Sequence, residues 1–371
     1  MTRATDVPQA LQERPGAPER RPLRLRETAA VLTAVSLWVL WKTGPAKVPF
    51  VEVFERFARE WPASSAMPNE AHVLRNFLGP LLYQLVPTPG TGRFLQLHVL
   101  ALLLAGVLLA WWLLRRLGGQ AGAVAVLLLL LSPVTALLLL WIGIYDAFAV
   151  LAWIAVLVSL AHRPFVQVLA GVLAGAQNLE QVAVGLVLLA LVPELPRALG
   201  LRPRIAHLLA GAVVGRVVLE AVLRDQGAPS GSRLGFLSDP AILQNITTSF
   251  ALMAPVVLWS VLGGLWAFAL SAVRDRWPGW SRSLRLRLLL VLAALLGFSL
   301  LAADHTRVIA MVSFPLVVLG CMLLAREVGD LRALARRPEA WLLLLVPPVL
   351  VQDDHLLRIG IKLGTWGIGP F

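Results

Sequence analysis

The stretch 303–307 concentrates reactive side chains in an otherwise apolar part of the chain. Asp304, His305 and Arg307 place three ionisable groups within four residues, between two apolar runs. An arginine offers a forked pair of donors to phosphate oxygens, and a histidine exchanges protons near neutral pH. We predict that these residues bind a phosphate and a sugar hydroxyl together, with a simple polar turn as the alternative.

A second polar group interrupts the apolar run 165–193. Gln177, Asn178, Glu180 and Gln181 are four polar residues in a stretch of five. Such a group is costly on a helix that faces lipid. Two half-length helices that meet at a polar apex, buried within protein, fit the pattern better. We predict that Gln177, Asn178 and Glu180 bind substrate, and the competing role is hydrogen bonding between helices.

Three other polar groups lie within apolar runs or at their ends. Asp146 follows one run and begins the next, so it either binds substrate or caps the following helix. Arg216 and Glu220 are four residues apart and should pair along one helix face. The sequence Asp353-Asp354-His355 has the donor types of a divalent metal site, but also those of a polar loop. A divalent metal is the one cofactor that the sequence leaves open.

The longest polar segment between apolar runs, 43–93, has two helical patterns. In the first, Phe50, Phe54 and Phe57 share one face of a helix, and Glu52 and Glu55 fall largely on the other. This pattern is typical of a helix that lies in the membrane interface. The charged residues are either the wet face of that helix or part of a cover over a site.

The second pattern in 43–93 begins at about Asn69, a suitable N-cap with Glu70 in the first turn. It predicts a helix that contains Arg75 and Asn76 and ends before Pro80. As in the first helix, its charges are either solvated or directed at a site beneath the segment.

The composition decides the class of protein to which these groups belong. Of the 371 residues, 58% are hydrophobic and 15% are charged, so a bilayer must act as solvent for most of the chain. The net charge of +12 comes from short arginine clusters between apolar runs. Such clusters set membrane topology, and no basic face for nucleic acid is evident.

The apolar runs predict an all-α, polytopic integral membrane protein with about eleven transmembrane segments, including the broken hairpin. The expected organisation is a disordered cytoplasmic tail over 1–26 and a single transmembrane domain over 27–371. The last predicted span is a short one over 340–351. Lys and Arg concentrate in the connections that this orientation places inside a bacterial plasma membrane. The polar groups described above then collect on the extracytoplasmic side.

The segment 43–93 gives the chain a resemblance to a known superfamily. Glu52 or Glu55 accompanies the aromatic and alanine helix Phe54–Ala58, and Arg75 precedes Pro80 by five residues. This arrangement resembles the first outer loop of the GT-C superfamily of membrane glycosyltransferases. The acid of that family is usually Asp, whereas this chain has Glu at both positions.

The resemblance implies transfer of a sugar from a polyprenyl-phosphate lipid to a glycan or other acceptor. It implies that Glu52 is the general base, with Glu55 and Glu70 as alternatives. Under the same resemblance Arg75, His305 and Arg307 hold the phosphate, and Asp146, Glu180 and Asp304 orient sugar hydroxyls or the cations.

Two other classes of function remain open. The interrupted run at Gln177–Gln181 is also typical of a transporter or a lipid flippase, since broken helices mark transport sites. A non-enzymatic membrane assembly subunit is the other class. The partners that the sequence predicts are therefore membrane lipids and lipid-linked or glycan substrates, with no nucleic acid.

Overall fold

The structure, a computed structural model, describes residues 24–48, 50–62, 75–228, 240–300, 305–345, 349–352 and 355–358. Helices dominate this part of the chain. The first eight are α1 (Leu25–Thr43), α2 (Val51–Glu60), α3 (Leu78–Gln84), α4 (Thr91–Leu117), α5 (Gly119–Leu130), α6 (Pro133–Leu140), α7 (Asp146–Ser159) and α8 (Pro164–Leu191). The other eight are α9 (Glu194–Ala198), α10 (Ile205–Asp225), α11 (Pro240–Leu262), α12 (Leu265–Arg276), α13 (Arg282–Ser299), α14 (His305–Val328), α15 (Leu331–Ala335) and α16 (Pro338–Leu345).

Among the described residues, four helices are long and apolar enough to cross a membrane, judged by length and composition alone: α4, α8, α10 and α14. The number rises to six if the bent pairs α5–α6 and α11–α12 are each counted as one span. The chain is therefore a helical membrane protein, as its composition predicts. The structure does not confirm eleven spans, because several apolar runs form helices that are short or sharply bent.

The predicted break in α8 is confirmed at Asn178, whose backbone torsions are φ −166° and ψ 84°. A straight helix of 28 residues would hold its ends about 42 Å apart. Near the start of α8, however, the Gln167 side chain bonds the backbone of Arg202 and Arg204, shortly after the helix ends. The connection between them is folded on itself, with Leu201 N donating to Pro196 O. The two halves of α8 therefore fold back on each other.

Glycines join the first half of α8 to α10. Gly171 and Gly175 on α8, and Gly211 and Gly215 on α10, are each spaced by four residues. A Cβ atom at any of the four would overlap a backbone oxygen of the other helix. The two helices run parallel, and only glycine permits this approach, as in the small-residue packing of membrane helices.

The helix bundle has two ends, which can be told apart by the contacts of α8. Ala198 accepts a hydrogen bond from Arg326 near the end of α14, so the connection after α8 lies at that end, which we call the base end. The break at Asn178 lies at the other end, which we call the apex end. The segment before α2 is attached to the turn between α6 and α7 by backbone hydrogen bonds of Ala46 and Val48 with Leu139 and Ile142.

Two predicted boundaries are wrong. Asn76 and Phe77 are not helical, and α3 starts at Leu78 with Pro80 in its first turn, where the missing N–H costs little. The short span expected over 340–351 is not one helix. Instead, α16 ends at Leu345, and strand β1 (Val349–Gln352) pairs antiparallel with β2 (His355–Arg358).

The close packing of α8 and α10 gives the first testable prediction. Replacing Gly175 or Gly215 with leucine should separate the two helices and cost about 3 kcal/mol of stability, the upper end of the usual range for overpacking, because the new side chain meets backbone rather than a movable side chain. The midpoint of thermal unfolding in detergent measures the effect. Gly106→Leu on α4 is the matched control, since no atom lies within 4 Å of a Cβ there. Equal midpoints for Gly175→Leu and Gly106→Leu would contradict the packing.

Candidate functional site

Four side chains of alternating charge form an ion-pair network at the apex end. The guanidinium of Arg75 donates to both carboxylate oxygens of Glu220, with Nε–Oε1 at 2.7 Å and Nη2–Oε2 at 3.2 Å. Glu220 also accepts from Arg216 Nε at 2.9 Å, which confirms their predicted pairing along α10. Arg216 Nη2 in turn lies 3.3 Å from Glu180 Oε1 on α8. The network therefore joins α8, α10 and the segment just before α3.

The arginines are the deepest members of this network. The side chains of Arg75 and Arg216 are 4% and 12% exposed, whereas those of Glu180 and Glu220 are 23% and 34% exposed. Within the described part of the chain, Glu180 Oε2 and Arg216 Nη1 are buried atoms without a hydrogen-bond partner. Buried polar atoms are nearly always satisfied. These two atoms therefore identify a place where a polar ligand group would fit.

Neutral amides fix the same segment to the break in α8. Gln177 Oε1 accepts from the backbone N–H of Leu78 at 3.0 Å, and its Nε2 donates to Asn76 Oδ1 at 3.3 Å. Gln177 thereby satisfies an N–H at the start of α3 that no helical carbonyl reaches. Its contacts favour the competing role, hydrogen bonding between elements.

Asn178 caps the second half of α8. Its Oδ1 accepts from the backbone N–H of Gln181 at 3.3 Å, the contact that an N-cap residue makes three positions into a helix. Glu180 then lies in the first turn of this half-helix, where a carboxylate interacts favourably with the helix dipole. The four polar residues of this stretch thus both create the break and satisfy its backbone.

A second ion pair joins α7 and α14. Arg307 Nη1 lies 3.2 Å from Asp146 Oδ1, and the Asp146 side chain is only 9% exposed. Asp146 is the first residue of α7, one position after the N-cap residue Tyr145. Its position therefore differs by one residue from the predicted N-cap, and its carboxylate pairs with Arg307.

The network that contains Glu180 and the Asp146–Arg307 pair lie at similar positions along the axis of the helix bundle. A Cβ on Gly185 would lie 2.7 Å from the Trp153 ring of α7 and 3.0 Å from Val312 O of α14. Gly185 and Val312 are five residues beyond Glu180 and Arg307, and Trp153 is seven beyond Asp146. All three helices run toward the base end, so these charged residues share the apex end. Three helix N-termini, with their partial positive charge, therefore meet at one level.

The side chains of His305 and Arg307 contact different helices. His305 is fully buried on the side of α11 and α13, where its Nδ1 lies 2.7 Å from Ser299 O and its ring meets Phe250. Its Nε2 is another buried atom that no group in the described ranges satisfies. Arg307 instead faces Asp146 on α7.

The two candidate bases on α2 differ sharply. Glu55 is 6% exposed and accepts a 2.7 Å hydrogen bond from the Tyr83 hydroxyl. Burial and this bond raise the pKa of Tyr83 to about 12, so the hydroxyl remains a donor at neutral pH. The Glu52 side chain is 62% exposed and pairs with Lys47 at 3.4 Å. A hydrogen bond from its own backbone N–H lowers the pKa of Glu52, which makes it a weaker base.

Two predicted site residues, Glu70 and Asp304, lie outside the described residues, as do Asp353 and Asp354. In the ranges that the structure describes, no three His, Cys, Asp or Glu side chains come close enough to hold a metal ion. Apart from His305, the predicted site residues that the structure describes divide into three groups. Arg75, Gln177, Asn178 and Glu180 form one, Asp146 and Arg307 form a second at the same end, and Glu52 and Glu55 belong to α2.

The sequence missed one feature of this site. Glu220 was assigned to a pair with Arg216 alone, but it also binds Arg75, which is 145 residues away. No local pattern signals such a contact.

Comparisons of the chain with protein-family models, curated proteins and solved structures gave no match.

The ion network gives the second prediction. Arg216→Met should lower stability, because Glu180 keeps its charge without its cation. The expected loss is about 2 kcal/mol, less than the roughly 3–5 kcal/mol for a fully buried pair, since Glu180 is partly exposed. The double variant Glu180→Gln/Arg216→Met should recover part of that loss. Thermal unfolding in detergent measures both. Arg224→Met, an exposed arginine two turns further along α10, is the control, and equal melting of the two single variants would contradict the network.

Proposed function

We propose that this protein is a membrane glycosyltransferase that moves a sugar from a polyprenyl-phosphate donor to an acceptor hydroxyl. The observation that carries the proposal is the meeting of three helix N-termini and three arginines at one end of an apolar bundle. Arg75, Arg216 and Arg307 lie there beside Asp146, Glu180 and Glu220. Such a place suits a substrate with an anionic head, neutral hydroxyls and a lipid tail.

The leaving group of this reaction is a lipid phosphate, so catalysis requires cations that stabilise the charge that develops on it. Arg307 and Arg216 are the best candidates, because Arg307 is partly exposed and Arg216 keeps one buried N–H group without a protein acceptor among the described residues. Arg75 is held by both oxygens of Glu220 and is better suited to positioning.

The general base is better assigned to Glu180 than to Glu52. Glu180 has one carboxylate oxygen fixed by Arg216 and a second, buried oxygen available to an acceptor hydroxyl. In the proposed step this oxygen takes the hydroxyl proton as the acceptor oxygen bonds to the anomeric carbon. The bond from that carbon to the phosphate oxygen breaks, and the lipid phosphate leaves. Asp146 would orient a sugar hydroxyl.

The proposed side of the reaction is extracytoplasmic. The basic connections identified in the sequence belong to the base end, where Arg116, Arg287 and Arg326 bond to the segment 194–200. The positive-inside rule then directs the apex end outward. We propose that the segment 75–78 holds the acceptor side of the site in place above the break in α8.

One observation favours a transporter as the second candidate. The break in α8 places an ionisable group at a discontinuity inside an apolar helix, as in many secondary transporters. A transporter would move a lipid-linked or small polar substrate without breaking the sugar–phosphate bond. That difference in chemistry separates the two functions experimentally.

The third prediction tests the transferase. Purified protein is supplied with farnesyl-phosphate hexoses of several sugars and a mixture of glycan acceptors, and release of farnesyl phosphate is followed by mass spectrometry. Glu180→Gln should lower release by roughly 100-fold or more, the usual contribution of a positioned base. Arg307→Ala should lower it comparably, while Glu52→Gln should stay within about twofold of the unmodified protein, since a solvated charge on α2 contributes little.

Full release by Glu180→Gln would contradict the assigned base. If the intact donor moves across the proteoliposome membrane, and no farnesyl phosphate is released from a donor with any of the sugars, the protein is a transporter and not a transferase.

A further inference from the structure

A large apolar cleft lies away from the apex end. It has a volume of about 670 Å³ and is bounded by α12, α13 and α14. Leu270 and Leu289, two of its lining residues, are 60% and 55% exposed, so the cleft opens sideways toward the surrounding lipid. On α14 it extends from Ser313 to Glu327, which is about 21 Å along the helix axis.

This length is comparable to the hydrocarbon depth of one leaflet, roughly 15 Å. The cleft is therefore long enough for an acyl chain that enters from the membrane. Beside the cleft, the chain bends by 85° between α11 and α12. The bend begins at Gly263, whose φ of +53° favours glycine. That bend turns α12 away from the line of α11 and leaves space beside α14.

Arginines are numerous in the segment that passes from α12 to α13 at the base end of the cleft. The connection 274–287 has five arginines and one acidic residue, Asp275. Three of the arginines pair with carboxylates: Arg274 with Asp275, Arg276 with Glu327 and Arg287 with Glu194. Arg282 and Arg285 have no carboxylate partner in the part of the chain that the structure describes.

Arg285 is close to the cleft. Its guanidinium lies 5.2 Å from the ring centroid of Trp277, which lines the cleft together with Trp280. Tryptophans of this kind are typical of the boundary between hydrocarbon and headgroups. The aromatic rings thus mark the level at which a lipid chain would join its headgroup.

We infer that the cleft binds one acyl chain of an anionic glycerophospholipid. Its phosphate is held by Arg285 and by Arg282, which lies three residues earlier on the same side of α13. The hydrocarbon lining fits the chain, and the two uncompensated arginines fit the negative headgroup. The site is at the opposite end of α14 from Arg307. It is therefore separate from the candidate transferase site and does not depend on that function.

Photo-labelling of the full-length protein in lipid nanodiscs tests the inference. The probe is phosphatidylglycerol with a diazirine in one acyl chain, and phosphatidylcholine with the same diazirine is its neutral counterpart. Peptide mapping should find adducts on α12, α13 and α14. The anionic probe should label about tenfold more than the neutral one, the order expected for one or two arginine contacts.

Two variants separate chain from headgroup. Gly320→Phe should abolish the adducts by filling the cleft, because no atom lies within 4 Å of a Cβ at this lining residue. Gly297→Phe on α13, equally unobstructed but outside the lining, should retain them. Replacing Arg282 and Arg285 with glutamine should reduce the anionic probe to the level of the neutral one.

Three results would overturn the inference: unchanged labelling of Gly320→Phe, equal labelling by both probes, or adducts spread evenly over lipid-facing helices. Displacement of the probe by farnesyl phosphate but not by unlabelled phosphatidylglycerol would also overturn it, since the occupant would then be a polyprenyl chain.

Discussion

The bidentate contact between Arg75 and Glu220 is the interaction on which the apex end depends. It joins a segment of the first long connection to the last third of α10, and through Arg216 it reaches Glu180 on α8. A charge in this position is expensive unless paired, so each member of the network constrains the next. The segment 75–78 is thereby held over the break in α8.

The glycine packing of α8 and α10 makes this network geometrically possible. Because the backbones of the two helices touch, Arg216 comes within reach of Glu180 at the point where α8 breaks. A wider separation would leave the carboxylate without its cation. The close approach of α8 and α10 therefore both packs the apolar part of the bundle and positions the ion pair at the apex end.

The sequence predicts the local features of the site well. Four polar residues in five identify the break at Asn178, and a spacing of four identifies the pair Arg216–Glu220. What it does not predict follows from distance and from helix geometry. Residues two apart on a helix point to nearly opposite sides, so His305 and Arg307 separate once α14 is known to begin at His305. The amphipathic pattern of α2 likewise does not tell which acid, Glu52 or Glu55, meets Tyr83.

The predicted number of spans is not confirmed, for a related reason. Hydrophobic length alone does not distinguish a spanning helix from a bent pair such as α5–α6, where Leu131 and Ser132 separate two short helices at 54°. At the other end of the chain, Val349 and Val351 alternate in a strand instead of extending α16. β-branched residues in such an alternation are typical of a strand.

Arg75 and Glu220 bind each other across 145 positions of sequence. A double-mutant cycle of Arg75→Met and Glu220→Gln, with the free energy of unfolding measured in mixed micelles, tests this contact directly. We expect a coupling energy of at least about 1.5 kcal/mol, as for close charge pairs shielded from water. A coupling energy near zero would mean that the first long connection does not dock on α10, and the proposed site would not exist in this form.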